Sequence, residues 1–495
     1  MVPFVYAILA ALLLVLAWWL PGTATSALLG WGGAIALVLA LRSGGGYRAM
    51  YLSGVLIQPL GFYWLYGTIK DFGGFPAAAA IPIFLLFVAL SAVQYLIFLF
   101  VYRNLPAALD RWALRIAFAW VTAEVLSVRI FPWQWSHTQL GFPQLAQIAD
   151  LGGTLLISLL MFWTAESVVR LHRERRPLLL LAPAALAAAV VYGQSRLTYF
   201  TQTEFPTQEV ALVQANLPIH QKGDLKFFGR NLERYRLLTA GVASPDRLTI
   251  WPETVFIDFV AAGIGSVERD ARLPFWPGAP LLIGALTFSS DTAIHNSALA
   301  IYPDGAVPVP YHKRILMPFG EYTPFAGIFP WLKEINATAA EFTAGTEVTV
   351  FAYPRGEGPP LQVAPLICYE DIVPALARSA VQAGATILVN LTNDAWFGNT
   401  VAPHQHHLIA AFRAIENRRA LVRSTNSGLT AVVDPLGRTT ATLPPFSEGV
   451  LTTRVPLVSE TSFYTSTVGE TPWQVVSLLA LLVALTAGLR RRRSR

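Results

Sequence analysis

A single cysteine, Cys368, occurs among 495 residues, which excludes an intramolecular disulfide and any metal site built from several thiolates. Its value lies in thiol chemistry or in packing. Charge is scarce too: 13% of residues are Asp, Glu, Lys or Arg, against roughly 25% in soluble domains. No compositional repeat occurs and 54% of residues are hydrophobic, so disorder and a fibrous fold are excluded. The sequence has no HExxH helix, no GxxxxGK(S/T) loop and no strand-linked GxGxxG, which leaves zinc-protease chemistry and nucleotide binding without support. The net charge of +6 comes from 36 basic and 30 acidic residues, and the excess gathers at the edges of apolar runs. Nucleic acid is therefore not expected as a partner, and no cofactor or metal is expected.

Long apolar runs are what the chain has in excess. Residues 1–195 form a membrane module in which seven transmembrane helices are expected, at about 3–20, 24–41, 48–68, 77–102, 113–130, 146–168 and 176–193. Residues 200–465 read as a globular domain, 470–489 as the eighth span and 490–495 as a basic cytoplasmic tail. The first run lacks the basic n-region of a signal peptide, so it is expected to be a retained helix. Arg42, Arg48, Arg103, Arg111, Arg115, Arg170, Arg173, Arg175 and Arg176 fall in alternate short loops, on the side shared with Arg490 to Arg493 and Arg495. The opposite short loops hold only Lys70 and Arg129, so the positive-inside bias puts both termini in the cytoplasm. The globular domain is then expected on the outer side. Span 113–130 is the weakest because it contains Glu124, read as a structural pairing partner in preference to a lipid-headgroup contact. Phe62, Tyr63, Trp64, Tyr66, Trp133 and Trp135 fit an outer interfacial anchoring belt, read in preference to the lining of a lipid-entry groove.

From residue 208 onward, short β-rich runs alternate with helical stretches. Strands are predicted over 209–217, 248–253, 281–288, 295–302, 348–353, 361–370, 385–393, 421–434 and 449–457, with helices over 226–241, 371–383 and 403–419. Strands interleaved with helices predict a layered α/β domain with sheets beneath helices.

Function in such domains collects where loops leave the strand ends. Glu253 closes LTIWPE, Lys313 lies in YHKRILMPFGEY, and Cys368 closes LQVAPLIC. Taken alone, Cys368 reads as an inert buried thiol, Glu253 as a cap or ion-pair partner and Lys313 as a solvated cation. Together they supply a nucleophile, a proton acceptor and a fixed cation for an oxyanion, which is what thiol acyl transfer needs. Glu321 is placed to orient Lys313 or serve a second substrate, and the backbone N–H of Tyr369 to add an oxyanion donor. His404, His406 and His407 are read as structural or loop-positioning residues in preference to metal ligands.

The whole chain resembles the apolipoprotein N-acyltransferases, and its central part is similar to the nitrilase, or carbon-nitrogen hydrolase, superfamily. WPE at Glu253, YHKRILMPFGEY at Lys313 and Glu321, ICYE at Cys368, NLTNDAWFG at 390–398 and RSTNSGLTAVVDPLG at 423–437 carry the resemblance. It implies about eight spans with an inserted α-β-β-α sandwich. It also implies Glu253 as general base, Lys313 as stabiliser of tetrahedral intermediates and Cys368 as nucleophile, supported by Glu321, Tyr369, Glu370, Asn393 and Trp396. The stretch after QANLP departs from the family, which often has Lys-Trp there; IHQKGDLKFF leaves Phe227 or Phe228 as a guess for a lid.

The reaction implied is ping-pong: Cys368 takes an acyl group from a phospholipid, with phosphatidylethanolamine expected by resemblance, and passes it to the α-amine of a diacylglyceryl-cysteine on an apolipoprotein. A monomer in the bacterial cytoplasmic (inner) membrane, with a periplasmic catalytic domain, is expected. A membrane-tethered nitrilase-like amidase or hydrolase is the nearest rival reading. A transporter or channel with an outer sensor domain ranks lower, because residues 24–193 show no paired broken helices.

Overall fold

The computed structural model describes all residues except 130, 291–292, 332–333, 335–339, 356–357 and 494–495, and gives residues 72, 492 and 493 as backbone alone. Arg495 of the expected tail thus lies outside the described residues. The chain divides into two units. One comprises Met1–Tyr66, Ala77–Thr203 and Thr461–Arg495, and the other Gly67–Pro76 and Glu204–Glu460.

The first unit is a helical bundle. Six of its described helices are long and apolar enough to cross a bilayer: Val2–Trp19, Ala24–Arg42, Ala77–Asn104, Ala149–Glu174, Pro177–Gln202 and Thr471–Arg491. The expected spans 48–68 and 113–130 form shorter helices, Tyr47–Gly61 of 15 residues and Leu114–Leu126 of 13. Tyr47–Gly61 stops before the aromatic run, and Leu114–Leu126 stops before the Phe-Pro-Trp segment whose proline disfavours helix upstream. Glu124 is buried and accepts a hydrogen bond from Trp135 N at 2.8 Å, a structural pairing within the bundle. The aromatic belt needs correction. Phe62, Trp64 and Trp133 are buried in a ring cluster with Trp18 and Phe131, Trp135 is buried against Trp120 and Phe162, and Tyr63 is exposed. Ala149–Glu174 is broken at Gly153, whose φ of +71° and close approach to the Tyr464 ring both require glycine.

Among its described residues the second unit has fifteen strands. In chain order they are β1 Thr207–Gln214, β2 Arg247–Ile250, β3 Phe256–Ala261, β4 Gly265–Ser266, β5 Leu281–Ser290, β6 Ala293–Ile301, β7 Ala306–Val307 and β8 Tyr311–His312, followed by β9 Phe351–Tyr353, β10 Leu361–Ile367, β11 Ile387–Thr392, β12 Ala420–Thr425, β13 Thr430–Val433, β14 Thr439–Leu443 and β15 Gly449–Pro456. One mixed sheet runs β15-β1-β2-β5-β6-β8 with β3 beside β5, and a second runs β14-β13-β12-β11-β10-β9. The sheets bury a shared core, with Val210, Leu212, Ile250 and Leu282 from the first against Val363, Ile367, Val389 and Val422 from the second. Helix Leu225–Ala240 covers the first sheet through Leu232 and Tyr235. Helices Pro374–Gln382 and Ala402–Asn417 pack on each other and on β10 and β12 of the second.

Two sequence expectations change in a way that matters for the site. The run 421–434 is two antiparallel strands rather than one. Asn426, Ser427 and Gly428 turn the chain, and Thr430 Oγ1 accepts from Thr425 N at 3.1 Å across the turn. The run 361–370 ends as a strand at Ile367, because Cys368 adopts φ +53° and opens a short 3-10 turn, Cys368–Ile372. In β10, β11 and β12, all parallel, Ile367 stands opposite Leu391, and Thr392 opposite Thr425. Cys368, Asn393 and Asn426 therefore leave the sheet at one edge.

Candidate active site

Glu253 follows β2 in the turn Trp251–Pro252–Glu253 and is 6% exposed. The turn lies against β5 at Gly284, where an added Cβ would fall 2.4 Å from Pro252 O and 2.6 Å from Glu253 Cα. Only glycine admits this approach. Thr254 takes φ +46°, and Lys222 holds that turn: its Nζ donates to Glu253 O at 2.7 Å, Thr254 O at 3.1 Å and Thr254 Oγ1 at 2.6 Å. Burial pulls the Lys222 ammonium down to about 8, against the charges of Glu253 and Cys368.

Lys313 follows β8, and its N–H donates to Asn296 O at 2.8 Å, which pins it beside β6. Taken in isolation it reads as a solvated cation; the fold buries it to 1% exposure. Its Nζ stands 2.7 Å from Glu321 Oε2 and 3.5 Å from Glu253 Oε1. Burial works against the ammonium, yet Glu321, Cys368 and Glu253 outweigh it and hold it above the usual lysine range. Glu321 is set by Met317 N, which donates to Oε2 at 2.8 Å, and by Asn296 Nδ2, which donates to Oε1 at 2.8 Å.

Cys368 keeps intermediate exposure. Asn390 Nδ2 donates to its carbonyl at 3.0 Å and to that of Leu366 at 3.1 Å, fixing the strand-to-turn junction. Burial and then the Glu253 carboxylate push the thiol up to about 12, with Lys313 and the Thr392 hydroxyl pulling the other way. At neutral pH it is a thiol rather than a thiolate, and attack needs a base that removes the proton as the bond forms.

The supporting residues divide. Glu370 is fully buried and receives four hydrogen bonds: Ile367 N at 2.7 Å, Arg314 N at 2.7 Å, Ile315 N at 3.1 Å and Tyr311 Oη at 2.8 Å. It ties the Lys313 loop to the Cys368 turn. Tyr369 is partly buried, with burial raising its phenol to about 12. Asn393 is buried and accepts from Asn426 Nδ2 at 3.3 Å, whereas Trp396 is 42% exposed. Phe228 packs on Phe256 at 5.0 Å in the core, and Arg230 covers Phe227.

Sequence reasoning missed Asn296, Lys222 and a buried cluster behind the nucleophile turn. In that cluster, His406 Nε2 lies 2.7 Å from Asp371 Oδ1 and its Nδ1 lies 3.1 Å from Asp394 Oδ1. Arg423 pairs with Asp371 and lies 3.5 Å from Asp394 Oδ2. Burial draws the Arg423 guanidinium down to about 9. His406 thereby joins the Cys368–Ile372 turn to the Asp394–Phe397 turn. Among the described residues, no group of three or more His, Cys, Asp or Glu side chains is arranged to hold a metal ion.

The arrangement places a neutral thiol among a carboxylate, a buried ammonium and a second carboxylate, a set able to run nucleophilic acyl transfer. Carbon-nitrogen hydrolase is the family description matching residues 278–464, and the Apolipoprotein N-acyltransferase N-terminal domain matches residues 10–166. The solved carbon-nitrogen hydrolase of Helicobacter pylori aligns at 14% identity and a TM-score of 0.35, over 55% of this chain and 92% of that one. The apolipoprotein N-acyltransferase of Vibrio vulnificus is 31% identical over 454 residues, covering 87% of this chain and 86% of that protein. That of Azotobacter vinelandii is 32% identical over 474 residues, covering 89% and 86%. A membrane bundle, a carbon-nitrogen hydrolase unit and relatives matched along nearly the whole length agree: the chain belongs to the apolipoprotein N-acyltransferase family.

Proposed function

We propose that the protein moves a fatty acyl group from a phospholipid to the α-amine of an N-terminal diacylglyceryl-cysteine on an apolipoprotein, through a thioester on Cys368. Glu253 takes the thiol proton as sulfur attacks the ester carbonyl carbon, and Lys313 with the N–H of Tyr369 stabilises the oxyanion. Collapse breaks the acyl C–O bond, and Glu253 returns the proton to the departing lysophospholipid oxygen. The amine then attacks the thioester, Glu253 accepts its proton, the C–S bond breaks and the sulfur recovers a proton. Glu321 positions Lys313, Glu370 braces the turn, and Asn393 and Trp396 line the approach.

The observation that carries this reading is the sole thiol of the chain, raised to about 12 and electrostatically coupled to Glu253, Lys313 and Glu321. A thiol so protonated is useless to chemistry without a neighbouring base, and here one is supplied. Both substrates carry long acyl chains, and exposing each methylene to water would cost about 0.8 kcal/mol, which explains joining such a unit to membrane helices.

Phosphatidylethanolamine is the donor we favour, acting on a monomer. We further propose that residues 1–195 cross the membrane seven times and 470–489 once, with the shorter helices Tyr47–Gly61 and Leu114–Leu126 among the crossings. The termini are then cytoplasmic, and residues 200–465 lie outside the cytoplasmic membrane. The alternating arginine-rich loops support this topology.

The deciding experiment supplies purified protein with phosphatidylethanolamine micelles and then with a diacylated lipopeptide. Intact-protein mass should rise by one acyl group on Cys368 and fall as the lipopeptide gains an amide. Release of free fatty acid with no amide would make the protein a hydrolase. Impermeant labelling of single cysteines placed in 200–465 and at the termini tests the topology.

A further inference from the structure

Asn296 sits in β6 between two carboxylates that the reaction cannot use interchangeably. It is 2% exposed, and its Nδ2 stands 2.9 Å from Glu253 Oε1 and 2.8 Å from Glu321 Oε1. The amide orientation follows from its partners, since the reverse would set a carbonyl oxygen against two carboxylate oxygens. In the orientation adopted, Asn296 Oδ1 is buried and has no hydrogen-bond partner among the described residues. A space-filling asparagine has no reason to leave its oxygen unpaired while spending both N–H groups on two acids.

The consequence falls on Glu253. Its Oε1 accepts from Asn296 and faces Lys313 Nζ at 3.5 Å, while its Oε2 receives no hydrogen bond from the described residues. A proton arriving at Glu253 is therefore directed to Oε2, because on Oε1 it would meet two donors. We propose that Asn296 is a positioning residue that holds the Glu253 and Glu321 carboxyl groups side by side and fixes which oxygen of Glu253 receives the Cys368 proton. This rests on the reading of Glu253 as the base. Asn296 also receives Lys313 N–H on its own carbonyl, so one residue sets the base, the cation and the second acid.

The charged and titratable groups acting on these two carboxylates are Lys313, in contact with both, Lys222, whose ammonium lies on the Glu253 carbonyl, and Cys368. Met317 N is the further donor to Glu321. A hydrogen bond to a carboxylate favours its charged form, so removing the two N–H donors of Asn296 should move the acidic limb of the reaction to higher pH.

The test follows single-turnover thioester formation on Cys368 from pH 4.5 to 9, with full-length protein in phosphatidylethanolamine micelles, by intact-protein mass. In Asn296→Leu the acidic limb should rise by about one pH unit. Asn296→Asp places a third carboxylate against the other two and should raise it further. If folded variants lose rate by the same factor at every pH with the limb unmoved, or form no thioester up to pH 9, the proposal is overturned. Should Asn296→Leu fail to fold, the nearly isosteric Asn296→Asp decides alone by the same criterion. Glu253→Gln is run in parallel: retention of the wild-type rate and limb there would refute Glu253 as base, an outcome separate from any result at Asn296.

Discussion

Lys313 stands 2.7 Å from Glu321 and 3.5 Å from Glu253, so the buried cation is engaged most closely by the carboxylate that is not the proposed base. Glu321 neutralises Lys313 in the resting site, which leaves Glu253 free to take a proton without giving up the principal partner of the ammonium.

Glu253→Gln and Lys313→Met should move two properties of Cys368 in different combinations. Loss of the Glu253 charge lowers the thiol from its value near 12 and speeds alkylation by iodoacetamide at pH 8, while loss of the Lys313 charge raises it and slows alkylation. Acyl transfer should fall in both, by about 10² to 10⁴-fold without the base and by about 10² to 10³-fold without the cation. Parallel alkylation and acylation assays check this, and equal changes in both alkylation rates would defeat it.

In the wild-type protein the alkylation rate should rise about tenfold per pH unit from pH 7 to 10 with no plateau, since the thiolate fraction keeps growing below a value near 12. A plateau near pH 8 would mean that burial and Glu253 do not control the thiol.

His406→Ala takes a ring nitrogen partner away from each of Asp371 and Asp394, both fully buried, and leaves Arg423 beside them. Leaving a buried acceptor without its hydrogen-bond partner destabilises by about 1–3 kcal/mol. Thermal unfolding in micelles should show a clear fall in midpoint relative to wild type, and an unchanged midpoint would count against the bridge.

Gly284→Ala drives a methyl group to 2.4 Å from Pro252 O, so the turn carrying Glu253 must shift. Misplacing a catalytic group by about 1 Å costs on the order of 10²-fold in rate, with overpacking adding about 1–3 kcal/mol of destabilisation. Thioester formation and melting, measured together, should show the rate suffering more than the fold.

Cys368, Glu253 and Lys313 were legible because each interrupts an apolar run at a strand end, a pattern that local sequence displays. Glu321 was legible through its loop with Lys313. Asn296 was not, since an amide inside HNSALAIY looks like any other strand position until β8 brings Lys313 beside it. Lys222 was hidden for a similar reason: its partners, Glu253 and Thr254, lie some thirty positions downstream, separation 31 to the first. The aromatic residues at 62, 64, 133 and 135 misled because composition alone cannot tell a membrane belt from a ring cluster packed inside a bundle. The division of 421–434 into two strands was signalled by Asn426, Ser427 and Gly428, whose turn chemistry a continuous apolar reading overrode.

Gly67–Pro76 groups with Glu204–Glu460, and Thr68 Oγ1 donates to Trp396 O at 3.2 Å. An excised fragment beginning at Glu204 would lack that stretch and bare the Asp394–Phe397 turn on the side it covers. Anyone seeking a detergent-free truncation would have to graft the missing piece back through a designed linker, because the two stretches of this unit are not contiguous along the polypeptide.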